Sequence, residues 1–94
     1  MRKKKHTVYF ITYNDKEIIK IGSTDSIRLR LKQLQVGNPF TLWVEHSIPC
    51  ETRSEAFKIE HSLHRKYKEQ RMRPKGEFFS DGNRILQEVR DGKE

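Results

Sequence analysis

From Val8 to Tyr13 the chain is all β-branched, aromatic or hydroxyl-bearing (VYFITY), and Asn14-Asp15 bounds the run. Glu17 to Ile21 (EIIKI) follows after a short polar turn, so the two segments predict a β-hairpin. Gly22 ends the second strand, and Thr24-Asp25-Ser26 supplies oxygens suited to cap a helix. Apolar residues then recur at Ile27, Leu31 and Leu34, the spacing of a short amphipathic helix that Gly37-Asn38-Pro39 stops. From Phe40 to Ile48 the period shortens to two. Phe40, Leu42, Val44, His46 and Ile48 fall on one side of a predicted third strand, Thr41, Trp43 and Glu45 on the other, and Pro49 closes it. Thr52-Arg53-Ser54-Glu55 reads as a capping box that starts a long helix, Arg53 to Gln70. Arg71 to Lys75 is a basic loop containing Pro74, and Gly76-Glu77-Phe78-Phe79 is a short extended or packing segment. Asp81-Gly82-Asn83 turns into a last helix with Ile85, Leu86 and Val89 inward.

The predicted order is β-β-α-β-α-α. Hairpin-linked strands make an antiparallel sheet, and helices must cover it because so little apolar material leaves none for a second sheet. The expectation is an α+β domain: a three-stranded antiparallel sheet flanked by helices. Residues 1–6 read as a basic arm, 7–90 as one domain and 91–94 as a frayed tail. No internal repeat is visible.

One residue disturbs the long helix. Ala56, Leu63 and Tyr67 share one face, and Glu60 falls within it. A bare carboxylate in such a stripe costs several kcal/mol unless it meets a metal, a cation or a cleft. Glu60 is therefore the first candidate for a functional site.

Composition narrows the partner. The 94 residues are 33% hydrophobic and 35% charged, with a net charge of +7, which suggests a polyanion, most often nucleic acid. The positive charge clusters: Arg65, Lys66, Lys68, Arg71, Arg73 and Lys75 are opposed only by Glu69. With Arg28 and with Lys3, Lys4 and Lys5 of the arm, they are the candidate phosphate contacts, or else a solvated face. No helix carries an Asn/Gln/Arg set for base edges, so direct sequence readout looks poor. Trp43, Phe78 and Phe79 are more naturally core than base-stacking residues. Cys50 is the single cysteine, so no internal disulfide forms and a reducing, cytoplasmic setting is expected. No apolar stretch reaches the roughly 18 residues of a membrane span, and MRKKKH lacks the apolar core of a signal peptide. His46, Cys50, His61 and His64 lack the spacing of a zinc set.

Three elements carry the candidate chemistry: Tyr9 in Thr7-Val8-Tyr9, then Lys20-Ile21-Gly22 with Arg30 eight residues beyond Gly22, then Glu60 on the long helix. In this order they resemble the GIY-YIG nuclease superfamily, whose half-motifs are usually Gly-Ile-Tyr and Tyr-Ile-Gly. Glu60-x-x-x-His64 followed by Gly76-Glu77-Phe78-Phe79 is most similar to a phage-associated branch. That branch is named for a bacteriophage T5 open reading frame, is described as DNA-binding and commonly has Lys-Ile-Gly. The resemblance covers roughly residues 7 to 80 and implies metal-dependent hydrolysis of DNA phosphodiester bonds. Tyr9 would position or deprotonate water, which requires neighbouring charge from Lys20 or Arg30 to lower a phenol pKa near 10. Arg30 would stabilise transition-state charge, and Glu60 would hold one Mg²⁺ or Mn²⁺. His64, one turn after Glu60, would orient it or act as general acid or base. Two departures stand out: Thr7 replaces Gly, and Lys20 replaces the second tyrosine, for which Tyr13 is a substitute candidate.

The expectation is a metal-dependent DNA endonuclease that nicks one strand with weak sequence specificity, a dimer or targeting partner supplying more. RNA stays open as a substrate. The rival is a DNA-binding module of the same fold that does not cut; a protein-interaction domain without a nucleic-acid partner leaves Glu60 unexplained.

Overall fold

Strand β1 (His6–Thr12) is buried on both of its faces. Val8 and Phe10 point one way, Tyr9 and Ile11 the other, and all four are at most 2% exposed. That double burial is why the segment reads as a continuous apolar run and not as an alternation. The computed structural model describes residues 5–12, 17–73 and 76–92. Tyr13, Lys3, Lys4, Pro74, Lys75 and the last two residues lie outside them.

After β1 come β2 (Ile19–Thr24), α1 (Ile27–Gln35), β3 (Trp43–Cys50), α2 (Arg53–Lys66), a 3₁₀ turn (Lys68–Gln70), β4 (Phe78–Phe79) and α3 (Gly82–Arg90). The sheet order is β3-β1-β2-β4 and every pairing is antiparallel. Val8, Phe10, Ile19, Ile21 and Phe79 pack with Ala56 and Leu63 of α2, with Tyr67 just past its end, and with Ile85, Leu86 and Val89 of α3. Tyr9, Ile11 and Leu42 pack with Ile27, Leu31 and Leu34 of α1 on the opposite face. No helix of the described residues is long and apolar enough to cross a membrane.

The fold corrects the sequence expectation in several places. Strand β2 does not end at Gly22 but runs through it to Thr24, and Trp43, expected in the core, is 59% exposed on the edge strand β3. The sheet has four strands among the described residues, not three, because Phe78 and Phe79 pair with Lys20 and Ile19 along the free edge of β2. The long helix stops at Lys66 and not at Gln70. Tyr67 leaves helical geometry (φ −105°, ψ 28°) so that the chain can swing back, where Arg71 bridges Phe79 and Gln70 O accepts from Ser80 N at 2.8 Å. Strand β3 starts at Trp43, leaving Phe40 outside, and it runs through Pro49 to Cys50. It is an edge strand, where a missing N–H costs no ladder bond. Finally, the alternation of β3 inverts at Glu45. Phe10 faces His46 and Ile11 faces Val44, so Glu45 is the extra residue of a bulge. Leu42 and Val44 thus belong to the α1 face, His46 and Ile48 to the α2–α3 face. Glu45 accepts from Thr12 Oγ1 at 3.2 Å and from Arg90 Nη2 at 3.3 Å.

Helix starts are capped locally. Ser26 Oγ accepts from Leu29 N at 3.3 Å at the head of α1. Thr52 Oγ1 accepts from Glu55 N at 3.1 Å at the head of α2, while Glu55 reaches back to Glu51 N and not to the cap residue itself.

Candidate functional site

The hairpin sets the two half-motifs side by side, since Tyr9 of β1 faces Gly22 of β2. The Tyr9 ring crosses over that glycine: a Cβ on Gly22 would fall 2.5 Å from Tyr9 Oη and 2.7 Å from Cζ. Glu77 Oε1 lies 3.0 Å from the same point, so hydroxyl and carboxylate share the space that a side chain at position 22 would fill. Burial pushes the Tyr9 phenol up to about 12; Glu77 and, more weakly, Glu60 add to the rise, and Arg30 opposes it. The expected lowering by Lys20 and Arg30 is therefore reversed. Lys20 is committed elsewhere: its Nζ donates to Glu77 Oε1 at 2.7 Å and sits 5.0 Å above the Phe78 ring centre.

On α2, Glu60 is 6% exposed among Ala56, Leu63 and Tyr67. Its nearest basic group among the described residues is His64 Nε2 at 3.9 Å. That nitrogen is already engaged, because Ile21 O accepts from it at 3.0 Å. Arg71 Nη2 donates to His64 Nδ1 at 3.3 Å. A carbonyl only accepts and a guanidinium only donates, so both ring nitrogens are assigned, with the hydrogen on Nε2. His64 thus ties α2 to β2, and Arg71 ties it to the loop, where its Nε donates to Gly76 O at 2.7 Å.

Glu60 opens on a polar cleft of about 310 Å³ that also takes in Arg30 from α1, Arg53 and Phe57 from α2, Glu77, and Asp25. The structure therefore gathers Tyr9, Arg30, Glu60, Lys20 and His64 around one region. Lys20 and His64 already have internal partners there, whereas Arg30 and Glu60 face the cleft. Of the phosphate-contact candidates, Lys5, Arg28, Arg65, Lys66, Lys68 and Arg73 are exposed, and Arg71 is half-buried by its internal bonds. Lys3, Lys4 and Lys75 lie outside the described residues.

The profile of the T5orf172 domain matches residues 6–92, from the first residue of β1 to just past α3. The chain belongs to the T5orf172 domain family. Nothing among the curated proteins or the solved structures matches it.

This T5orf172 domain, a member of a nuclease-like, DNA-binding family, has cleft residues beyond those singled out from the sequence. Arg53 and Phe57 stand seven and three positions before Glu60, so the helical spacing that singled out Glu60 also puts them beside it. Glu77 had a weaker signal, its place within Gly-Glu-Phe-Phe, and only the β2–β4 pairing shows that it reaches Lys20. No three or more His, Cys, Asp or Glu side chains converge as a metal cage among the described residues. Mg²⁺ does not require one: it keeps most of its waters and takes one or two carboxylates. Glu60, buried, weakly partnered and open to a polar cleft, fits that kind of donor.

Proposed function

We propose that the domain is a divalent-metal-dependent DNA endonuclease of the GIY-YIG kind. The observation that carries this reading is Glu60: a buried carboxylate without a hydrogen-bond partner among the described residues, facing a cleft that also presents two arginines. Two guanidiniums there suit a phosphodiester, holding its non-bridging oxygens in bidentate fashion.

Water attacks phosphorus in line with the departing 3′ oxygen. Tyr9 keeps its proton at neutral pH, so its hydroxyl positions the water or a phosphate oxygen by donating a hydrogen bond. Glu77, beside Tyr9 Oη, is the carboxylate placed to accept the proton that the water loses. Arg30 stabilises the charge that builds on the phosphoryl oxygens. Mg²⁺ or Mn²⁺ on Glu60 would supply further positive charge to the leaving oxygen. His64 holds α2 at its distance from β2 and thereby positions Glu60. One cleft acts on one strand, so a single domain nicks.

The rival is a DNA-binding module of the same fold that does not cut. Lys20 favours it, because the position of the motif tyrosine is filled by a side chain that Glu77 neutralises. Plasmid cleavage with Mg²⁺ or Mn²⁺ decides between them. Glu60→Ala should abolish cutting and keep DNA binding within a few-fold, since it leaves every cation in place; a large loss of binding would assign Glu60 a structural role instead.

A further inference from the structure

Along the exposed side of α2, Arg53, Phe57, His61 and Arg65 follow one another at four-residue intervals, a row that winds slowly round the helix. All four are exposed, Phe57 by 49%. The Phe57 and His61 rings lie against each other, with centres 4.5 Å apart and planes inclined by 38°. Phe57 lines the Glu60 cleft. His61 lines a second polar basin of about 280 Å³ with Arg65 and Lys68. The ring pair is thus the saddle between two basins, flanked by cations at both ends. Arg53, Arg65 and Lys68 have no hydrogen bond or ion pair with another side chain among the described residues, so their charge is available to a ligand.

We propose that this row is a track for single-stranded DNA, with Phe57 and His61 as a base-stacking platform; the assignment of DNA to the neighbouring cleft rests on the reading above. Exposed rings flanked by cations are what an unpaired strand uses, since phosphates take the cations and base faces take the rings. A duplex offers phosphates to the cations but no base face to the rings, because its bases are stacked on one another. From Arg53 to Arg65 the helix rises about 18 Å, enough for several nucleotides. The row begins at the cleft, so a strand lying on it delivers its backbone to Arg30 and Glu60. The substrate class that follows is DNA with unpaired nucleotides, such as a flap, a bubble or a single strand, in preference to intact duplex.

The test is fluorescence anisotropy of a labelled oligothymidylate and of a hairpin duplex with the same number of phosphates, in EDTA so that nothing is cut. Wild type should bind the oligothymidylate more tightly. Phe57→Ala should weaken the oligothymidylate by at least about 5-fold, the low end of one base–aromatic stack, and leave the duplex nearly unchanged. Phe57→Trp should restore the preference; Phe57→Leu, which keeps the apolar bulk without a ring, should not. Arg65→Ala should weaken both ligands alike. Equal losses on both ligands in Phe57→Ala, no loss on the oligothymidylate, or a wild-type preference for duplex would each overturn the proposal. The assay needs no catalysis, so a protein that never cuts a plasmid can still pass it. One that cuts but fails it loses this inference alone.

Discussion

Tyr9 and Gly22 form the tightest fit at the site, and each is testable alone. A methyl group on Gly22 would meet Tyr9 Oη at 2.5 Å, so the buried ring, 2% exposed, would have to shift. Gly22→Ala is expected to cost about 1–3 kcal/mol, the usual penalty for overpacking, measured as a drop in the urea midpoint. An unchanged midpoint would mean that the ring does not cross Gly22. The phenol makes a second prediction. Its pKa is raised from 10.0 to about 12, so the folded protein holds that proton more tightly than the unfolded chain does. The resulting stabilisation is complete below pH 10.0 and is lost as pH rises through about 12. Urea melts across that window should show stability falling less steeply in Tyr9→Phe than in wild type; identical slopes would contradict the burial of the hydroxyl.

The elements carry these residues, and the sequence shows some of them more plainly than others. The stripe of Ala56, Glu60, Leu63 and Tyr67 was legible because a helix repeats its face whatever surrounds it. So was the first hairpin, whose residues have strand chemistry on both faces. Strand β4 was only half so: its segment read as extended or packing, but two residues have no period, and their pairing depends on the free edge that β2 presents. The inversion at Glu45 was hidden for a similar reason: a bulge is fixed by what the extra side chain meets, here Thr12 and the distant Arg90. The same limit hid the Lys20–Glu77 pair, whose members are 57 positions apart. Helix α2 sets the position of Glu60, and Thr52 caps it. Thr52→Ala should lower stability by about 1 kcal/mol in thermal melts, with Thr52→Ser recovering most of it. No change would show that tertiary packing alone holds the head of α2.

At the scale of the whole molecule, a net charge of +7 and exposed cations along α2 imply that affinity for DNA falls steeply with salt. Lys68→Ala should reduce the slope of log affinity against log salt by about one; an unchanged slope would place DNA elsewhere on the surface. Arg30→Ala should slow cutting by about 10² or more, the usual cost of removing a donor to transition-state charge, and a wild-type rate would remove Arg30 from the site. Whether Glu60 anchors a metal-dependent cut is read on supercoiled plasmid with Mg²⁺ or Mn²⁺, beside Glu60→Ala and an EDTA control. Nicked product is expected from wild type alone, lost in EDTA. Intact plasmid in every lane, with a mobility shift at low salt, would rule out cleavage at Glu60 and leave a DNA-binding module whose unusual residue is Lys20.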